Sequence, residues 1–147
     1  MAFITISSSQ KKKLNDLAPL GYSFDWTRFS SSRSKTVACL HDGDIAGLVE
    51  LERQPENLLN FLYLIEVAEK YRGTGVAGEL LVYVARDSIE QGFEGFVVLE
   101  FKTALANYYV EKYGAKFITS DGFRLYFDTE AANNLNQKYL TEGEPHD

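Results

Sequence analysis

The chain has 147 residues, enough for one ordinary domain and too few for two, and an apolar fraction of 45% with 10 Phe and 9 Tyr specifies a folded core rather than disorder. One cysteine excludes an internal disulfide, no apolar run is long enough to cross a bilayer, and residues 1–9 carry no export-signal pattern, so a cytoplasmic protein with no membrane partner is expected. Of the net charge of −6, three negatives come from Glu142, Glu144 and Asp147; with no basic stripe to neutralise phosphates, nucleic acid is not an expected partner.

Residues 3–6 read as a short strand, and the Ser7-Ser8-Ser9 cluster offers an N-cap for a helix over 10–17 that Pro19 and Gly21 end. Lys11-Lys12-Lys13, the one basic run, reads as a solvated face of that helix. Residues 22–35 are irregular, with Tyr22, Trp26 and Phe29 packing under a loop. Residues 36–40 and 45–53 are strands joined by His41-Asp42-Gly43-Asp44, since Asp-Gly between two apolar runs signals a hairpin. Cys39, between Ala38 and Leu40, is expected as a small core residue rather than a nucleophile, and His41 is expected to be exposed beside the turn, with no metal-site pattern near it. After a turn at 54–57, residues 58–67 return as the third member of an antiparallel meander.

The most informative stretch follows. A charged link leads from the strand to Arg72-Gly73-Thr74-Gly75-Val76-Ala77-Gly78, and an amphipathic helix starts there, with Ala77, Leu80, Leu81, Val84, Ala85 and Ile89 at helical spacing. Glycines at a helix start leave backbone N–H groups without partners beside the positive end of the helix dipole, a combination suited to a phosphorylated ligand. Gly73 and Gly78 have P-loop spacing, but Glu79 and Leu80 replace the Lys and hydroxyl residue, and an acid there repels phosphate. Gly73, Gly75 and Gly78 also fit the dinucleotide fingerprint, with Glu100 at the distance of a ribose-binding acid. Against that reading, residues 68–72 separate the glycines from their strand, and the chain after them is short for a doubly wound sheet.

Gly92 stops the helix, and residues 96–99 are a continuous apolar run, as expected of a buried strand parallel to the one before the helix. Residues 103–112 form a second helix, 113–118 a turn into a strand, Ser120-Asp121-Gly122 a hairpin turn, 123–127 the last strand and 130–139 an extra helix. A single domain over 1–140 with an acidic tail at 141–147 is expected.

The run from Val67 to Ala77 resembles the acetyl-coenzyme A loop of the GNAT family of N-acetyltransferases, whose signature is Arg or Gln, two residues, Gly, one residue, then Gly or Ala. Arg72, Gly75 and Ala77 meet it here. The resemblance implies an α/β (α+β) fold: a mixed, mostly antiparallel sheet with a central parallel strand pair, flanked by helices. It implies acetyl-CoA as cofactor, with Ile65 and Val67 along the pantetheine, Arg72, Gly73, Thr74, Gly75, Val76, Ala77 and Gly78 around the pyrophosphate, and Asn107 within reach of the pantetheine. Tyr22, Trp26 and Phe29 would then sit near an acceptor pocket. The implied reaction moves an acetyl group to a primary amine of a small molecule or peptide by direct attack in a ternary complex, with a homodimer as a possible assembly.

Such transfer needs a neutral amine and a proton for the departing thiolate. Glu66, charged within an apolar strand, is the first candidate for the base, and solvent exposure or pairing with a cation is its alternative; Glu100 is the second candidate. The family commonly places a tyrosine four residues before the glycine of the final turn, but counting back from Gly114 reaches Val110. Tyr109 is the nearest in register and Tyr108 its neighbour. Two further readings remain at this point: a non-catalytic acyl-CoA sensor, which Val110 favours, and a dinucleotide-binding fragment. No metal is expected.

Overall fold

The computed structural model describes residues 2–100, 105–118 and 124–140; the expected hairpin turn at 120–122 and the tail at 141–147 lie outside them. Strand β1 (Ala2–Ile6) is followed by α1, a single turn over Ser8–Lys11, and by a 3-10 stretch over Leu14–Leu20. The expected N-cap is Ser7, whose hydroxyl accepts from Gln10 N while the Gln10 side chain accepts from Ser7 N. The continuous helix expected over 10–17 is instead two short pieces, and Pro19 lies inside the second, which ends at Gly21 in the left-handed region at φ +96°. Proline has no N–H to donate, which keeps the segment from consolidating as α-helix.

The meander appears as expected: β2 (Ser34–His41), β3 (Asp44–Gln54) and β4 (Leu59–Val67) pair antiparallel in succession. A short 3-10 turn, Glu69–Tyr71, leads through the glycine loop to α2 (Val76–Glu90), and β5 (Val97–Glu100) returns parallel to β4. Then come α3 (Leu105–Tyr113), β6 (Lys116–Phe117), β7 (Arg124–Phe127) and α4 (Thr129–Leu135), which continues through one π turn, Asn136–Leu140. Among the described residues the sheet has seven strands in the order β1-β2-β3-β4-β5-β7-β6, with β4–β5 its parallel pair, which is the mixed, mostly antiparallel architecture expected.

Each face of the sheet has its own core. Val37, Val49, Leu51, Leu62, Val97, Leu99, Leu125 and Phe127 project to one face, where Leu80, Val84 and Ala85 of α2 and residues of α3 and α4 cover them. A fully buried Leu or Val contributes about 1.5–3 kcal/mol relative to exposure, so this layer is the main source of stability. Gly47 on β3 sets how close α2 comes: a Cβ there would stand 2.8 Å from Leu80 Cδ1 and 2.9 Å from Val76 Cγ1. On the opposite face Ile6, Ala38 and Leu48 lie beneath Leu14, Tyr22 and Trp26 of the irregular N-terminal segment.

Lys11 departs from the solvated role expected of the basic run. It is 1% exposed, donates to Thr36 Oγ1 (2.8 Å) and Glu50 Oε1 (3.1 Å), and lies over the rings of Trp26 and Phe29. Lys12 and Lys13 are exposed. Lys11 and Leu14 sit three apart and both face inward, so the short first turn presents its core stripe through a lysine whose charge Glu50 balances.

Candidate active site

Strand β4 carries one extra residue. Leu51 opposes Leu62 while Glu50 opposes Leu64, so Tyr63 is a bulge, and a bulge changes which residues face which neighbour. Before it, Asn60 N donates to Phe96 O (3.1 Å), so Asn60 and Leu62 turn their backbone groups toward β5. After it, Ala68 N donates to Ala46 O of β3 (2.8 Å), which by alternation turns Ile65 and Val67 toward the β5 side. Among the described residues the β4–β5 pairing ends at Leu62 and Leu99. The N–H groups of Ile65 and Val67 lie beyond that last described pair, on the β5 side of the strand.

The glycine loop lies at the same end. Gly73 and Gly75 have φ of +80° and +96°, conformations that a Cβ would strain, and Gly75 is the N-cap of α2 without any side-chain cap. The first amide of this helix to find an acceptor is Glu79 N, on Gly75 O (3.1 Å); among the described residues the amides of Gly75, Val76, Ala77 and Gly78 have no acceptor in the protein. Thr74 Oγ1 donates to Tyr71 O (2.5 Å) and holds the turn. Arg72 braces the loop, its Nε donating to Val67 O (3.2 Å) and its NH2 group to Gly21 O (2.9 Å). Gly78 faces the C-terminal segment, where the ring of Tyr139 packs directly on it, and Asn107 is exposed on α3.

On the other face, Glu66 is buried at 9% exposure, and among the described residues no cation pairs with it. Its Oε2 accepts from Ser23 N (2.8 Å) and Ser23 Oγ (2.7 Å), and its Oε1 from Trp26 Nε1 (2.8 Å) and Phe24 N (3.1 Å). A carboxylate offers about four acceptor positions, and four donors fill them. Burial opposes the charge, but the bonds from Trp26 and Ser23 outweigh it and hold the carboxyl below its ordinary pKa. Trp26 is thus a buried donor, Tyr22 is buried with its hydroxyl on Ile45 O (2.8 Å), and Phe29 is 40% exposed. Glu100 is exposed and paired with Arg124.

The tyrosines of α3 divide. Tyr109 is 8% exposed in the core beneath α3, and burial pushes its phenol up to about 12; Val110 is partly buried against the same core. Tyr108 is 47% exposed and accepts from Lys112 Nζ (2.8 Å), which lowers its phenol below the ordinary value. Cys39 is wholly buried, as expected; burial and the nearby Glu79 carboxylate push its thiol up to about 12, so it is no nucleophile.

The bulge in β4 and the uncapped, glycine-led start of α2 are the two features of this end of the sheet that break its regularity. The profile of the acetyltransferase (GNAT) family matches residues 3–115, and the chain belongs to that family. Members of the family bind acetyl-CoA and transfer acyl groups to amines. Among solved structures, a GNAT-family acetyltransferase from Staphylococcus aureus superposes with a TM-score of 0.65 at 17% identity, covering 87% of this chain and 98% of the other. Nourseothricin acetyltransferase gives 0.53 at 28% identity, covering 65% of this chain and 64% of its own. The ribosomal-protein-S18-alanine N-acetyltransferase of Escherichia coli gives 0.62 at 15% identity, over 85% of this chain and 90% of its own. No curated protein matches the chain by sequence.

Proposed function

We propose that the protein is an N-acetyltransferase that moves an acetyl group from acetyl-CoA to a primary amine, by direct attack of the amine nitrogen on the thioester carbonyl. The C–N bond forms as the C–S bond breaks, the nitrogen loses a proton and the thiolate gains one. The observation that carries this reading is the row of amides from Gly75 to Gly78, which have no acceptor among the described residues, following a strand whose Ile65 and Val67 N–H groups face the β5 side beyond the last described pair. In this reading the amides of 75–78 take the pyrophosphate, Arg72 holds the loop in shape, and the Ile65 and Val67 backbone pairs with the pantetheine arm, with an N–H there available to polarise the thioester oxygen.

Glu66 acts here as a positioning residue, because a base needs a lone pair to receive the proton and all of its positions are engaged. It fixes residues 23–26 over the acceptor side. Tyr108 is the proton donor to the thiolate: a phenol lowered by Lys112 is better matched to a thiol than one raised by burial. A small-molecule amine is the favoured acceptor class, supported by the 28% identity to nourseothricin acetyltransferase. A reducing, cytoplasmic setting suits the lone buried thiol. Val110 at the family's tyrosine position favours one alternative, an acyl-CoA sensor that binds without turnover.

Calorimetry with acetyl-CoA, coenzyme A and NAD, followed by thiol release over a panel of amines, tests the proposal. Tight acetyl-CoA binding with release on at least one amine supports it; binding without release on any amine selects the sensor; NAD binding in place of acetyl-CoA overturns both.

A further inference from the structure

Cys39 and His41 stand two positions apart near the end of β2, and Glu79 stands in the early turns of α2, where Gly47 lets that helix approach the sheet. The packing brings three ligand atoms of different chemistry together. Cys39 Sγ lies 3.5 Å and His41 Nε2 2.9 Å from the same Oε2 of Glu79, and the three ligand atoms all fall within 4.8 Å of one another. We propose that Cys39, His41 and Glu79 form a binding site for a thiophilic divalent transition metal, zinc in the first instance, with a fourth position open past His41. The site is independent of the acyl-transfer reading.

Geometry supports it. Zinc takes thiolate at about 2.3 Å and imidazole or carboxylate at about 2.0–2.2 Å, which in a tetrahedron leaves neighbouring ligand atoms roughly 3.3–3.6 Å apart. The sulfur–oxygen separation of 3.5 Å already has that value. The nitrogen–oxygen separation of 2.9 Å must open by a few tenths of an ångström, and His41, 30% exposed beside the Asp42-Gly43 turn, has room to withdraw. That exposure also gives a water or other ligand its approach, while Cys39 at 0% and Glu79 at 7% close the rest of the shell.

Charge supports it too. Glu79 is a buried carboxylate whose partners among the described residues are the thiol and the imidazole, with no Lys or Arg beside it. A dication offsets the charge of one carboxylate and one thiolate, and the thiolate–imidazole pair favours zinc or cobalt over magnesium or calcium. Tyr71 braces the strand end beside the histidine: its ring lies against the imidazole at 5.6 Å, and its one hydroxyl proton is shared between Asp44 Oδ2 (3.0 Å) and His41 O (3.3 Å). A bound ion would fasten β2 to α2 one residue beyond Gly78, making the start of α2 more rigid.

The sole cysteine of the sequence makes the test specific, because a thiolate-to-cobalt charge-transfer band can arise only at Cys39. The full chain, stripped with chelator and kept reduced with a phosphine, is titrated with Co²⁺ and then Zn²⁺ while its melting temperature is followed. The expected result is one equivalent of Co²⁺ bound with that band and the visible bands of tetrahedral cobalt, displacement by Zn²⁺, and a raised melting temperature. Cys39→Ser should abolish the band, and His41→Gln should abolish stoichiometric zinc binding in a protein of unchanged circular dichroism. No charge-transfer band at stoichiometric Co²⁺, an unchanged melting temperature with Zn²⁺, or full zinc affinity in His41→Gln would each overturn the proposal.

Discussion

The ring of Tyr139 lies directly on Gly78, so that a Cβ built on the glycine would stand 2.5 Å from both Cδ1 and Cζ of the ring. The third glycine of the loop is therefore fixed by packing, whereas Gly73 and Gly75 are fixed by positive φ. Gly78→Ala should cost about 1–3 kcal/mol through overpacking and weaken acetyl-CoA binding by displacing the first turn of α2. Tyr139→Ala in the same chain should restore part of both losses. Urea denaturation and calorimetry on the two single variants and the double variant measure that coupling; additive losses would separate Tyr139 from the loop.

That contact also marks the limit of what the chain's pattern reveals. The meander, the parallel pair, the glycine-led helix and the extra C-terminal helix follow from periodicity and turn residues, which are local signals. Three glycines read as one phosphate grip, yet Gly78 answers to a residue 61 positions away, and no window around it contains that information. Lys11 is similar: its inward direction is legible from its spacing to Leu14, but its partner Glu50 lies on β3. The four donors on Glu66 come from residues 23–26, an irregular stretch without a period to read. Cys39 and His41 stand two positions apart in one strand, and Glu79 joins them only because Gly47 lets α2 sit close.

Lys11→Ala leaves Glu50 buried at 0% exposure without its cation, with Ser30 N and Ser34 Oγ still donating to it. Removing one partner of a buried pair typically costs about 3–5 kcal/mol, and a loss of that size is expected from urea denaturation. Lys11→Met with Glu50→Gln removes both charges and keeps an acceptor for Ser30 and Ser34, so it should lose markedly less. An equal loss in both variants would show that the ammonium contributes through packing on Trp26 and Phe29 rather than through charge.

Glu66 gives the acid limb of stability a definite sign. Burial raises its pKa, but the bonds from Trp26, Ser23 and Phe24 outweigh that, and the folded carboxyl titrates below its ordinary 4.5. A depressed folded pKa contributes stability that is complete above the unfolded value and is lost as pH falls through the folded one. Glu66→Gln removes this linkage and turns an amide N–H₂ toward bound donors, at a cost of about 2 kcal/mol or more. The gap between wild type and variant should be flat above about pH 5 and should narrow steadily below it. A gap independent of pH down to the acid transition would remove Glu66 from the linked groups. The same variant should retain kcat within a few-fold wherever it is folded, since its role is to hold residues 23–26.

Tyr108 and Tyr109 make opposite predictions for turnover. Tyr109 is packed in the core with its phenol raised to about 12, so Tyr109→Phe should alter stability more than rate. Tyr108, exposed and lowered by Lys112, should carry the proton to the thiolate, and Tyr108→Phe should reduce kcat by roughly 10²-fold, the lower range for a general acid, with little change in acetyl-CoA affinity. Lys112→Met removes the ammonium that lowers the phenol, so its kcat should fall less than in Tyr108→Phe and the alkaline limb of its pH–rate profile should move to higher pH. Sign follows from the chemistry: an acid must be protonated to act, activity is lost as pH rises through its pKa, and a higher pKa postpones that loss. If Tyr109→Phe abolished turnover while Tyr108→Phe left it intact, the core tyrosine would be the donor and Lys112 would have no part in the reaction.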